Sequence, residues 1–220
     1  MKHTAPNFDP LAKIYRWMEY LSFGRALERC RFYFLDSCTT ASRALVLGDG
    51  DGRFTQRLAQ KNSSVAIHAL DASPRMLQEL RERVATLGPQ AVARLQTTVC
   101  DLRAFTPGAD SYDLAVTHFF LDCLSELEIA ALLERLRPAL AQDATWVLSE
   151  FSIPQRGWMR QPARALIAAL YLAFRWMTRL PVQRLPNPAP IFERAGFQLQ
   201  ERRSFLRGLL VAEVWRLRAR

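Results

Sequence analysis

Lysine is nearly missing from this chain of 220 residues: it stands only at positions 2, 13 and 61, and arginine supplies the rest of the 30 basic residues. Histidine occurs only at 3, 68 and 118, and cysteine only at 30, 38, 100 and 123, with no C-x-x-C and no H-x-x-x-H. Those spacings exclude the common zinc-ligand patterns, and a chain of this size has core enough to need no disulfide staples. The thiols are expected free and buried. Long hydrophobic runs are lacking too. The longest, Ala163 to Met177, is interrupted by Arg164 and Arg175 and falls short of the ~20 residues of a membrane span. Met1 to Pro10 holds no apolar core of the signal-peptide kind. The expectation is one soluble, cytoplasmic domain.

Acid is scarce in the last third. Residues 152–220 carry 13 arginines against only Glu193, Glu201 and Glu213, whereas residues 1–151 balance to within one charge, so the whole net charge of +9 lies at the C-terminal end. Arginine there is interleaved with Trp158, Tyr171, Phe174 and Trp176. Such a segment suits an anionic ligand, a membrane surface or nucleic acid.

Periodicity divides the chain into alternating elements. Tyr15 to Phe34 reads as helical, with Ile14, Met18, Leu21, Phe23 and Leu27 at roughly helical spacing. A short apolar run, Ala44 to Leu47, ends at glycines, and Phe54 to Gln60 suits a helix. Val65–Leu70 is a strand ending at Asp71. Ser73-Pro74 then makes an N-cap and first turn for a helix through Thr86. Ala93–Cys100, Tyr112–Phe119 and Thr145–Phe151 read as further strands, and Ser125-Glu126-Leu127-Glu128 as a capping box opening a helix to about Leu136. Strands alternating with helices imply parallel βαβ units. Residues 152–190, apolar, helical and bracketed by prolines, break that alternation and read as an insertion over the sheet. A short helix at Ile191–Ala195 and strands at Phe197–Phe205 and Leu209–Leu217 follow. Arg207-Gly208 turns the last pair tightly, so the final strand is expected antiparallel. The division is a helical cap (1–40), a βαβ core (41–151), a helical lid (152–190) and a terminal helix with a strand pair (191–220).

The chemistry gathers at the strand ends. Gly48-Asp49-Gly50-Asp51-Gly52 lies between a strand and a helix, where glycine lets backbone approach a ligand and the helix offers unpaired N–H groups. A dinucleotide fingerprint needs its third glycine at position 53, which is Arg53, and this argues against a dehydrogenase. Asp71 ends the second strand, where a carboxylate can accept both ribose hydroxyls. Asp101 follows the third, placed to accept from an adenine amino group, with the backbone N–H of Leu102 beside it. Ligands of open α/β sheets bind at such carboxyl ends, and these features together point to an adenosyl ligand.

On these residues the chain resembles the class I S-adenosylmethionine-dependent methyltransferases. The matching runs are ALVLGDGDG (44–52), HALDASPRML (68–77), VCDL (99–102), YDLAVTHFFLD (112–122) and WVLSEF (146–151), in the family's order. The D-x-S-x-x-M-L run at 71–77 is similar to that of small-molecule enzymes related to ubiquinone/menaquinone C-methyltransferases. The resemblance implies an α/β, Rossmann-like, seven-stranded, mostly parallel sheet with helices on both faces and its last strand antiparallel. It implies S-adenosyl-L-methionine as cofactor, wrapped by Gly48, Gly50 and Gly52. Asp71 with Ala72 would hold the ribose, Met76 would flank the adenine, and Asp101 with Leu102 would read its edge. His118 and Phe119 would lie near the methionine moiety, and an aromatic of the N-terminal helix, Tyr15, would close over the cofactor. The family usually has an acid two residues before the first glycine. Here that residue is Val46, which leaves Asp49 or Asp51 to meet the cofactor's amino group.

His118, then Asp122, are the candidate general bases. Cys123 is a poorer nucleophile candidate, because cytosine C5-methyltransferases carry Pro-Cys where this chain has Asp122-Cys123. His118-Phe119-Phe120-Leu121 replaces the D/N-P-P-Y/F run of adenine N6-methyltransferases, and no recognition domain accompanies it, so a nucleic-acid substrate is disfavoured. The expected acceptor is a small apolar or aromatic molecule under residues 153–190, a segment also suited to peripheral contact with the inner face of a membrane. A non-catalytic or aminopropyl-transferring relative is the alternative, and the oligomeric state is left open.

Overall fold

The computed structural model describes residues 25–108, 111–154, 157–178 and 184–218. In chain order the elements are α1 (Arg25–Arg31), β1 (Arg43–Leu47), α2 (Arg53–Lys61), β2 (Ala66–Asp71), α3 (Pro74–Ala85), α4 (Pro89–Ala93), β3 (Leu95–Val99), β4 (Tyr112–His118), α5 (Glu126–Leu136), β5 (Leu140–Phe151), α6 (Arg160–Thr178), α7 (Ala189–Arg194), β6 (Phe197–Phe205) and β7 (Leu210–Leu217). One sheet runs in the order β3-β2-β1-β4-β5-β7-β6. Strands β1 to β5 are mutually parallel, and β7 is antiparallel to both of its neighbours. The seven-stranded, mostly parallel expectation therefore holds, with the reversed strand last in the chain.

The apolar runs of β1 and β4 are continuous because helices cover both faces. Alternation then splits them between two cores. Ala44, Val46, Leu114 and Val116 face α1, α2 and α3 through Leu27, Phe54, Leu58, Leu77 and Leu80. Leu45, Leu47, Ala115 and Trp146 face α5 and α7 through Ile129, Leu133, Leu136 and Phe192. The start of β1 is pinned to β4 by Asp113, whose carboxylate accepts the N–H groups of Ser42 (2.8 Å) and Arg43 (2.9 Å).

Several boundaries differ from the sequence reading, two of them for a visible reason. Strand β5 begins at Leu140 rather than Thr145, because a register shift separates the Tyr112–Leu140 pair from the Leu114–Thr145 pair. The apolar alternation starts only after that shift. Strand β3 begins at Leu95 rather than Ala93, because Gly88 (φ 100°) and Pro89 open a short helix, α4, that ends at Ala93. The predicted helix Tyr15–Phe34 is seen from Arg25 to Arg31, and its earlier part lies outside the described residues. None of the described helices is long and apolar enough to cross a membrane.

Candidate active site

The turn after β1 is built on left-handed backbone, with φ of 67°, 62° and 80° at Gly48, Gly50 and Gly52. The three are not equivalent. A Cβ on Gly48 would lie 2.4 Å from the Phe120 ring, and one on Gly52 would lie 2.4 Å from the Leu80 side chain and 2.8 Å from its Cα. Those two glycines let the protein pack on itself. At Gly50 the nearest atom is Met76 Sδ, at 3.8 Å, so that side of the turn has room for a ligand.

Asp71, at the end of β2, faces the same turn. Its carboxylate accepts the N–H of Ser73 at 2.9 Å and the N–H of Gly50. Burial raises its pKa, and these donors, which favour the charged form, oppose the rise. Ala72 is exposed beside it, and half-buried Met76 donates its N–H to the N-cap hydroxyl of Ser73 at 3.2 Å.

The two turn carboxylates are engaged by the protein's own donors. Asp49 Oδ2 accepts the N–H and the hydroxyl of Thr55, both at 2.8 Å, and Oδ1 accepts the Phe54 N–H at 3.4 Å, which caps α2. Burial raises the Asp49 pKa, with Arg31 and Thr55 opposing. Asp51 pairs with Arg53 (3.1 Å) and Arg83 (2.9 Å). Val46, where the family usually has an acid, is a buried core residue.

At the third strand end, Asp101 Oδ1 accepts the Arg103 N–H at 2.9 Å. Leu102 is buried in the second core, and its carbonyl accepts from Arg135 at 3.1 Å. Arg103 reaches on to Glu128 at 2.6 Å, the acid that completes the capping box of α5 with Ser125. Burial raises the Glu128 pKa, but Ser125 and Arg103 together outweigh it and leave the carboxyl below its ordinary value.

The fourth strand ends in strained and desolvated residues. His118 is buried against the Phe54 ring, 4.4 Å between centroids, and among the described residues neither ring nitrogen has a hydrogen-bond partner. Burial, with Arg31 adding repulsion, holds its pKa well below the usual value, so the imidazole is neutral at physiological pH. Phe119 has φ 53°, donates its N–H to the Ser149 carbonyl (2.7 Å), and packs on Phe151 (5.4 Å) beneath the Arg31 guanidinium (5.8 Å). Asp122 accepts from the Cys123 thiol at 3.5 Å.

Sequence reasoning passed over Glu150, although it stands inside the quoted run WVLSEF. An acid interrupting an apolar strand was the available signal. Its Oε1 accepts the N–H groups of Phe120 (3.3 Å) and Leu121 (2.9 Å), bracing the loop after β4. Oε2 is buried without a hydrogen-bond partner among the described residues. Burial, then the neighbouring Asp122 carboxylate, pushes the Glu150 pKa well above its ordinary value. Arg31 was passed over as well. It is buried at the end of α1 and acts electrostatically on both His118 and Asp49.

The thiols are poor nucleophiles. Burial and Asp122 push Cys123 well above the ordinary thiol pKa, and burial pushes Cys30 and Cys38 to about 12 and Cys100 to about 11. Tyr15 lies outside the described residues.

Residues 45–145 match the family model described as a methyltransferase domain. Among solved structures, a candidate O-methyltransferase from Nostoc punctiforme superposes with a TM-score of 0.73 at 22% identity, covering 96% of this chain and 61% of that one. The pyocyanin biosynthetic protein PhzM gives 0.67 at 18%, covering 96% and 62%. The N-methyltransferase NodS from Bradyrhizobium japonicum, in complex with S-adenosyl-L-homocysteine, gives 0.60 at 16%, with 87% of each chain covered. None of the curated proteins matches the sequence. This chain spans about three fifths of the length of the first two relatives. At such identities the likeness speaks for the fold. The family model covers a little under half of the chain, and the solved structures share its Rossmann-like methyltransferase fold. The Nostoc and Bradyrhizobium proteins carry O- and N-methyltransferase names, so the finer resemblance to C-methyltransferases stays an expectation of the sequence.

Proposed function

We propose that the chain transfers a methyl group from S-adenosylmethionine to a small apolar or aromatic acceptor. The observation that carries this reading is the pairing of Gly50 with Asp71. The one turn glycine with room beside it donates its N–H to a carboxylate at the next strand end, inside the matched domain. Gly48, Gly50 and Gly52 would cradle the methionine part of the cofactor. Asp71 and Ala72 would take the ribose, Met76 the adenine face, and Asp101 with Leu102 the adenine edge. Asp49 and Asp51 would act by shaping the turn, since both already serve protein donors. Phe119 would flank the methionine part.

When bound, the cofactor supplies an activated methyl group on a sulfonium, so the protein's task is mainly placement. A neutral, desolvated His118 is suited to hydrogen-bond a ligand rather than to hold a proton. Asp122 is the other candidate proton acceptor, with buried Glu150 bracing the backbone of Phe120 and Leu121 just before it. An acceptor that is apolar or aromatic is supported by the cover that α6 gives the end of β5 and the start of β7. Ala163 and Ile167 pack there with Leu209 and Ile153.

The test is thermal shift of the full chain with S-adenosylmethionine, S-adenosylhomocysteine, decarboxylated S-adenosylmethionine and NAD. A ligand at 100 times its dissociation constant stabilises by about 2.7 kcal/mol. Stabilisation by S-adenosylhomocysteine, lost in Asp71→Ala, is expected, followed by transfer of labelled methyl to members of an aromatic acceptor panel. A response to NAD alone would overturn the reading. A response to the decarboxylated compound with no methyl transfer would favour an aminopropyl-transferring relative.

A further inference from the structure

The turn between β6 and β7 is strained in an unusual place. Three consecutive residues are left-handed: Leu206 (φ 47°), Arg207 (φ 56°) and Gly208 (φ 94°). A leucine enters that region only when its surroundings over-determine it, and such strain concentrates where a surface has a task. Leu209 and Leu210 are buried directly after it, and a Cβ on Gly208 would sit 3.2 Å from Pro154. Yet Leu206 and Arg207 themselves stay exposed. Leu206 is 42% exposed, and the Arg207 guanidinium lies 5.1 Å over the ring of Trp158, which is 72% exposed.

The first turns of α6 belong to the same surface. Ala163 and Ile167 anchor them to Leu209, while Arg160, Arg164 and Leu166 face outward. No acid occurs between residues 152 and 192, nor between 202 and 212. Because β6 runs parallel to β5, this turn lies at the end of the sheet that carries Asp71, His118 and Glu150.

We propose that Trp158, Leu206 and Arg207, with Arg160, Arg164 and Leu166, form a docking surface for an anionic phospholipid bilayer. The patch is an exposed turn with the exposed start of α6 beside it. It combines guanidinium groups for lipid phosphates with one indole and two leucines of a size to enter the headgroup–acyl boundary. Nucleic acid would use the arginines but leave the exposed leucines unsatisfied. The matched methyltransferase domain ends before this surface begins, so the inference stands apart from the cofactor reading.

The test is sedimentation of the full chain with vesicles of phosphatidylcholine alone or mixed with phosphatidylglycerol. Binding to the anionic vesicles only, weakening as salt rises, is the expected result. Arg207→Glu should weaken it by about tenfold, since one basic residue near such a surface is worth about fivefold and reversal also adds repulsion. Leu206→Ser should weaken it severalfold. Should the turn variants fold poorly by thermal melt, Arg160→Glu with Arg164→Glu on the exposed helix face provides the same reading. The proposal is overturned by absent binding at low salt, by equal binding to both vesicles, or by binding that these charge reversals leave intact. Preference for an RNA or DNA oligomer over vesicles, or self-association that shields Trp158 from quencher, would also overturn it.

Discussion

The first three strand ends and the last third of the chain use charge in opposite ways. Around Gly48–Gly52, Asp71 and Asp101, acids and bases meet inside the protein: Asp49 caps α2, Asp51 takes Arg53 and Arg83, and Arg103 links Asp101 to Glu128. Charge there shapes backbone, and little of it is left over. After Phe151, arginine is in large excess, and several of the arginines lie exposed beside a strained turn and an exposed indole. Between the two regions sits the loop after β4, flanked by His118 at the end of β4 and Glu150 in β5, both buried without full hydrogen bonding among the described residues. Internal compensation fixes the backbone of the proposed cradle. Uncompensated charge marks a surface prepared for something outside the chain.

Substitutions in either region test this difference. The largest effect is expected from Gly52→Ala, whose Cβ meets the Leu80 backbone at φ 80°. Left-handed strain and overpacking together should cost about 2–5 kcal/mol in denaturant unfolding. An unfolding midpoint equal to wild type would show that the turn is not held by packing on α3. Next comes Glu150→Ala, which leaves the N–H groups of Phe120 and Leu121 without their acceptor. About 2–4 kcal/mol is expected, against under about 1 for Glu150→Gln, whose carbonyl can still accept both.

Gly50→Ala should separate binding from folding. Its Cβ enters the space beside Met76, so stability should fall by about 1–2 kcal/mol from φ strain alone. S-adenosylhomocysteine affinity, read by calorimetry, should drop at least tenfold. Unchanged affinity would remove Gly50 from the cradle.

A smaller effect appears in pH. Glu150 has a folded pKa raised above its ordinary 4.5, so it holds a proton more tightly folded than unfolded. That contribution is absent below about pH 4.5 and destabilises progressively as pH rises through the raised value. Glu150→Gln should flatten the decline, narrowing the stability gap to wild type or reversing it at alkaline pH. Parallel profiles would refute the assignment. The smallest change is Trp158→Ser, under about 0.5 kcal/mol in stability, because the ring is exposed.

Much of this was legible in the residues. The Ser73-Pro74 start and the Ser125–Glu128 capping box appear as read, because capping is local chemistry that needs no partner far along the chain. The order of strands followed from apolar runs alternating with helical periodicity, since parallel strands buried on both faces must read that way. The G-x-G-x-G turn, Asp71 and Asp101 were legible as strand-end residues. Glu150 was not, because its meaning depends on the backbone of Phe120 and Leu121, thirty residues away and one strand over.

Two matters were decided only by tertiary structure. One is which turn residues face inward. Asp49 and Asp51 look alike in sequence to a ligand contact, yet Thr55, Arg53 and Arg83 claim both, and Gly50 alone keeps room beside it. The other is where the C-terminal arginines gather. The composition determined that the last third is basic and aromatic. Only the pairing of β6 with β7, and the docking of α6 on Leu209, bring Trp158 and Arg207 into contact across 49 residues of chain. Composition and local pattern are properties of neighbours along the chain. Ligand-facing space and surface charge are sums over residues that only folding makes neighbours.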